Sequence, residues 1–226
     1  MKSEKVTRTR RLYDDACGTA LALEFVGERW SLLIMRELMF GPRRFGEIKT
    51  NLPGISANVL TQRLEALEAN GILRRYRLPS PANVQVYDLT DWGRESEPLM
   101  RGLGRWAARS PRHDPLLFMS PASAMISLRT LIDADRAAGQ TATIAFRMRD
   151  DAFVARLADG DLAIVRGETD HADVIFTGNT LAMRYTIYGK QPLSSDGAGG
   201  TLAVTGDLAA AQRFIDLFAL PDKVVP

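Results

Sequence analysis

Apolar residues recur at helical spacing along the first half of the chain and at the two-residue spacing of strands along the second. Ala16 to Val26 reads as a short helix. The stretch RWSLLIMRELMFG follows as a second, with Trp30, Leu33, Ile34 and Leu38 on one apolar face and Gly41-Pro42 as its stop. Phe45 to Asn51 makes a third helix, closed by Pro53-Gly54. Ser56 is placed to cap a fourth, because its hydroxyl accepts from a backbone N–H that the first turn leaves free. Leu60, Leu64 and Leu67 then fall at i, i+4 and i+7 as the buried stripe. At about 100° per residue, Asn58, Thr61, Gln62 and Glu65 lie opposite or beside that stripe. Their amide, hydroxyl and carboxylate groups are the kind that read base edges in a major groove.

The chain changes character after this helix. Asn70-Gly71 suits a left-handed C-terminal stop, ILRRYRL and VQVYDLT are two β-prone runs, and PSPAN between them is a turn. Helix, helix and β-hairpin together predict a winged helix-turn-helix. The wing carries Arg74, Arg75 and Arg77, and strand alternation puts Arg75 and Arg77 on one face, suited to phosphate or minor-groove contact. The same arginines also fit a plain solvated edge strand.

Three prolines in RSPRHDPLLFMSP (Pro111, Pro115 and Pro121) interrupt any continuous helix, and the domain junction is placed there, at residues 1–112 and 113–226. Beyond it, PASAMISLRTLIDADRAAG reads as a helix. TATIAFRMR, AFVARLA, DLAIVRG and ADVIFTG read as strands between Asp/Gly turns, and SSDGAGGTLAVTGD as a mobile loop entering a further strand. The fold class expected is α+β.

Composition narrows the function. With 226 residues and 46% apolar side chains the chain can build two cores. Its apolar runs fall far short of the roughly 20 residues a membrane helix needs, and the charged start MKSEKVTRTRRLYDD does not fit a signal peptide, so a cytoplasmic protein with no membrane partner is expected. Residues 1–115 hold 19 Lys+Arg against 14 Asp+Glu, whereas the remainder holds 10 against 13, so the basic excess sits on the winged-helix half. The HAD triplet at His171 lacks a third metal ligand. The glycine-rich loop lacks the order of a dinucleotide site, and no nucleophile stands in a motif with a histidine. No metal, no cofactor and no enzymatic activity are expected.

The stretch from Cys17 to Arg75, with its G-x-R-W, G-P-R-R-F and P-G-I-S segments and the later VYDLTDWGRE, resembles the HxlR family of bacterial winged-helix transcription regulators. The resemblance covers about residues 13 to 109. It implies a homodimer on a double-stranded DNA operator, with DWGRESEPLMRGLGRWAARS as the long dimerising helix, helped by the N-terminal segment. The DNA contacts it implies are Arg43, Arg44, Ser56, Asn58, Gln62 and the wing arginines; Arg63 fits a structural salt bridge at least as well. Cys17 aligns with a cysteine that some members use to sense oxidants. Such a thiol must be exposed and easily ionised, with Arg10 or Arg11 as candidate cationic neighbours. An inert thiol packed in the first helix is the favoured alternative, because the second domain already supplies an input.

The second half, with its acid-V-x-I/F-x-G strand and its final T-G-D before a helix, resembles the sterol carrier protein 2-like fold, a mixed sheet and helices enclosing an apolar tunnel. On that resemblance Phe146, Phe153, Phe176, Met183, Tyr188, Phe214 and Phe218 are candidates to line a ligand cavity, or else plain core. Arg147, Arg184 or Tyr185 would meet a carboxylate head group. The function expected is a DNA-binding regulator controlled by a hydrophobic small-molecule effector. The alternative is a lipid-handling or catalytic protein whose winged helix binds another protein.

Overall fold

The computed structural model describes residues 13–149 and 151–225. The first half runs through α1 (Gly18–Val26), α2 (Ser31–Leu38), α3 (Phe45–Thr50), α4 (Ala57–Ala69), the hairpin β1 (Leu73–Arg77) and β2 (Gln85–Leu89), α5 (Asp91–Arg94) and α6 (Glu97–Ala108). This is the winged helix expected, with β1 and β2 antiparallel and Arg75 opposite Tyr87. Three boundaries differ from the periodic reading. Helix α1 begins at Gly18, and Cys17 takes the capping position. Helix α2 starts at Ser31 because Trp30 has φ 82°, a left-handed conformation that ends any helix running into it from the N-terminal side. The expected long terminal helix is two helices, with the chain turning at Ser96 before Pro98 opens α6, since proline suits a first turn and not a helix interior.

The second half consists of α7 (Pro121–Leu131), α8 (Ala134–Ala137), β3 (Ala142–Met148), β4 (Asp151–Ala158), β5 (Asp161–Arg166), β6 (Val174–Gly178), α9 (Thr180–Ile187), β7 (Ala203–Gly206) and α10 (Leu208–Ile215). The one helix expected across residues 121–139 divides at Ile132. Ile132 is extended and bridges to Phe218, and the Asp133 carboxylate then accepts from the N–H groups of Asp135 and Arg136, both at 3.1 Å, to start α8. The sheet has the order β5-β4-β3-β6-β7 and is mixed, β3 and β6 being parallel and the other neighbours antiparallel. Phe146 is the register partner of both Phe153 and Phe176, so strand alternation puts three aromatic rings on one face. The Asp/Gly-rich loop before β7 contains a short 3-10 turn, Ala198–Gly200. No helix of the described residues is long and apolar enough to cross a membrane.

The two halves share a buried interface. Phe40, just past α2, meets Phe153 edge-on at 5.5 Å. Arg101 and Arg105 of α6 donate to the carbonyls of Arg129 and Thr130 at the C-terminal end of α7, where free carbonyls and the helix dipole favour cations. Arg129 in turn pairs with Glu97 at 2.7 Å. From the C-terminal tail, Lys223 and the Val224 N–H donate to the last carbonyls of α6 and its cap, both at 2.8 Å.

Candidate nucleic-acid interface and interdomain cavity

Helix α4 separates its two faces as its sequence requires. Leu60, Leu64 and Leu67 are buried, while Asn58, Thr61 and Gln62 are exposed. Ser56 accepts from the Val59 N–H at 3.2 Å, which commits one lone pair to the cap and leaves its O–H free to donate. Arg44 is exposed at the start of α3. On the wing, Arg75 is exposed and pairs loosely with Glu68 at 3.5 Å. Arg77 is exposed and donates to the Asn83 carbonyl at 3.2 Å, and Arg74 meets Asp88 at 3.4 Å. Arg63 pairs with Glu28 at 3.0 Å, the structural role its angle near the core stripe suggested. Seven of the expected contact residues, Arg44, Ser56, Asn58, Thr61, Gln62, Arg75 and Arg77, thus stay exposed on α3, α4 and the wing.

Arg43 does not join them. Only 7% of it is exposed, and its guanidinium grips both carboxylate oxygens of Asp151 at the start of β4. Its backbone is equally committed: Arg43 and Tyr87 exchange N–H···O bonds of 2.9 and 2.8 Å, tying the start of α3 to the wing. The expectation of a phosphate contact fails here because the guanidinium is already bonded to Asp151, and drawing it out to a phosphate would strand that carboxylate in the interior. Arg166 completes the cluster, with Nε 3.4 Å from Asp151 and the guanidinium over the Phe153 ring at 5.1 Å. Burial, then the neighbouring Arg43, lowers its pKa to about 10. Beside the cluster, the buried Glu37 accepts from Ser120 at 2.7 Å and pairs with Arg36 at 2.8 Å, and burial raises its pKa.

The aromatic residues of the second half form a solid body. Phe146 stacks on Phe176 at 5.4 Å, Phe214 covers both at 6.1 and 6.3 Å, and Phe218 meets Phe214 at 5.0 Å. Met183 and Phe153 are fully buried too. These side chains fill the space between sheet and helices, so the expectation that they line a tunnel is corrected; rings in mutual contact leave no room for a ligand. Phe214 also borders a cleft beside the start of β3 and the end of β4.

A cavity of about 450 Å³ lies elsewhere, between the two halves. Its walls come from Leu32 and Leu33 of α2, Met100 and Leu103 of α6, Phe118 of the linker and Ile126 of α7. Of the ligand candidates only Tyr188 borders it, its hydroxyl 2.8 Å from that of Ser127. Among the head-group candidates Arg184 borders it, whereas Arg147 and Tyr185 are exposed away from it. The apolar run PLLFM, unusual between prolines in a linker, was the overlooked signal for this site.

Cys17 is free and exposed rather than packed, which corrects the expectation of a buried thiol. The backbone N–H and hydroxyl of Thr19 and the Ala20 N–H, directed toward the sulfur, lower its pKa, the effect of a helix N-terminus on a thiolate. Arg10 and Arg11, the cationic neighbours considered, lie outside the described residues.

The model of the HxlR-like helix-turn-helix family matches residues 25–114. The uncharacterised HTH-type transcriptional regulator YvaP of Bacillus subtilis is 37% identical over 38% of this chain and 80% of its own. The chain belongs to the HxlR-like helix-turn-helix family. A second relative, the HTH-type transcriptional regulator YodB of the same organism, is 38% identical over 38% of this chain and 77% of its own. The structure of reduced YodB is 34% identical, with a TM-score of 0.40, and covers 44% of this chain and all of that one. Beyond the HxlR-like part, residues 113–225 match a family described as alkyl sulfatase C-terminal. The mixed sheet expected for this half is present, and this is the family description it carries.

Proposed function

We propose that this HxlR-like protein is a cytoplasmic transcription regulator that binds double-stranded DNA as a homodimer, takes its input through the second domain, and performs no catalysis. The observation that carries the reading is the exposed polar face of α4 beside the exposed wing arginines, the arrangement that reads a major groove while gripping the flanking phosphates. HTH-type regulators among the relatives support it. Dimerisation is supported by Leu99, Leu103 and Trp106, which follow one another at i, i+4 and i+7 on α6 and stay at least half exposed. An unpartnered stripe of this length is what a coiled-coil-like contact would cover. The match to an alkyl sulfatase family favours a second reading, in which the second half handles amphipathic molecules and the winged helix binds a protein.

The two readings separate by titrating the promoter DNA flanking the protein's own gene at several salt concentrations. A DNA-binding dimer gives an affinity that falls steeply with salt, and Arg75→Ala or Arg77→Ala should each lower the log–log slope by about 0.9. Asn58→Ala and Gln62→Ala should instead change the consensus selected from random DNA, at about 1–3 kcal/mol per lost bidentate base contact. Weak binding with no slope rejects the proposal.

A further inference from the structure

The interdomain cavity combines an apolar lining with one cation that is poorly compensated. Arg184 of α9 is 7% exposed. Its guanidinium has five N–H donors. Nε donates to the Thr180 carbonyl at 3.2 Å, and Nη1 donates to the carbonyls of Pro115 and Leu117. These three bonds hold the linker against α9 but supply only dipoles. Among the described residues no carboxylate lies within ion-pair distance of Arg184, and Nη2 bonds to no protein group but opens onto the cavity, where an arriving ligand can reach it. The carboxylate at the rim, Asp114, is exposed and accepts from the Leu116 N–H at 2.8 Å. Burial lowers the pKa of Arg184, and the charges of Tyr185 and Asp114 oppose the shift without reversing it. The other arginine at the cavity, Arg36, already has Glu37 at 2.8 Å. A cation left in this state is most cheaply neutralised by an anion that arrives with its own apolar body, since such a body is what the remaining walls accept.

The geometry points to this cavity as the effector site, with a small amphipathic anion as its ligand: a carboxylate or sulfate head group on Arg184 and an aliphatic or aromatic body among Leu32, Met100, Leu103, Phe118 and Ile126. The site rests on the reading of the second domain as an input. Its volume leaves room for on the order of fifteen non-hydrogen atoms if each takes about the 30 Å³ of a liquid water. Because α2 and α6 form one wall and α7 and the linker the other, an occupant sets the spacing between the two halves. Helix α6 also carries the exposed stripe assigned to the dimer, so a shift of α6 alters how the two α4 helices meet successive half-sites. Ligand binding thereby has a route to differential DNA affinity without touching DNA.

Gly104 permits a clean test. It lies in α6 on the cavity wall, and a Cβ built on it meets nothing within 4 Å. Gly104→Phe therefore adds a ring at the cavity wall with no close contact at its Cβ, and circular dichroism and melting cooperativity report that the variant folds. The full-length protein is titrated, below micelle-forming concentrations, with decanoate, decyl sulfate, 1-decanol and decyltrimethylammonium, by calorimetry and thermal shift. The expected result is saturable binding of decanoate, decyl sulfate or both, on the order of tenfold or more tighter than 1-decanol, and none of the cation. Gly104→Phe should abolish binding, and Arg184→Gln should remove the preference for the anions over 1-decanol while Arg184→Lys retains part of it. Absence of binding by either anion overturns the site, as does undiminished binding to Gly104→Phe. Equal binding of 1-decanol or of the cation overturns the anion assignment. Operator affinity measured on the same samples separates this proposal from the function it rests on: anion binding that leaves operator affinity unchanged supports the site and refutes the regulatory coupling, and a ligand-free protein that fails to bind DNA refutes the DNA-binding reading alone.

Discussion

Replacing Asp151 with alanine should be among the most damaging single changes in the molecule. Its carboxylate is the shared counter-ion of two buried arginines, gripped by Arg43 from the winged helix and 3.4 Å from Nε of Arg166 on β5. At an effective dielectric constant of about 20, one charge pair at that separation contributes about 5 kcal/mol of Coulomb energy. The burial cost of the carboxylate disappears with the side chain and offsets part of this. Two guanidinium groups are then left facing each other, and Arg166, whose three nitrogens make no hydrogen bond and whose Nε has Asp151 only as an ion-pair partner, is already destabilised as a cation with Asp151 present. Removing one member of a buried pair costs about 3–5 kcal/mol. For a urea dependence of about 2–3 kcal/mol per molar, the unfolding midpoint should fall by on the order of 1–2 M. Tryptophan-detected urea unfolding measures this, and a cycle of Asp151→Leu, Arg43→Met and the double variant isolates the pair. The double variant should recover the part of the loss that comes from stranding Arg43, and adding Arg166→Met should recover most of the remainder, because only the triple replacement leaves no stranded charge. A midpoint shift of only a few tenths molar, or single-variant effects that add to within about 0.5 kcal/mol, would show that the cluster is not coupled as described.

Two further outcomes follow from the titrating groups. Burial raises the pKa of Glu37 above its ordinary value, so the stability that protonation adds is fully present below about pH 4.3 and is lost as pH rises through the raised folded value. The stability of wild type relative to Glu37→Gln should therefore decline across that window and level off above it; urea midpoints from about pH 4 to about pH 8 that track in parallel would reject the assignment. The exposed Cys17 thiol should react with iodoacetamide with a pH midpoint below the ordinary thiol value of about 8.5. If it senses oxidants, diamide should release DNA from wild type and not from Cys17→Ser, and equal release from both would exclude that role.

The elements of this protein were legible in its sequence because each rests on local physics. Leucines at i, i+4 and i+7 with a serine cap specify α4 wherever the helix packs, and strand alternation around a proline turn specifies the wing. The polar face of α4 followed from the same arithmetic, since a helix with one buried stripe must leave its other side to solvent. What needed the tertiary structure was every property that depends on which surfaces meet. Arg43 and Arg44 are neighbours of one type, yet one is buried against Asp151, 108 positions away in the chain, and the other is exposed. The spacing of phenylalanines at 146, 153, 176, 214 and 218 is compatible with a lined tunnel or a filled core; the register of β3 with both β4 and β6, and the docking of α10 over them, decided for the core. The cavity arises where α6, α7 and a proline-divided linker fail to pack closely, a mismatch of shapes between elements distant in sequence. Periodicity reports which side of an element avoids water. It carries no information about which partner covers that side or how completely, because packing is a property of pairs of surfaces.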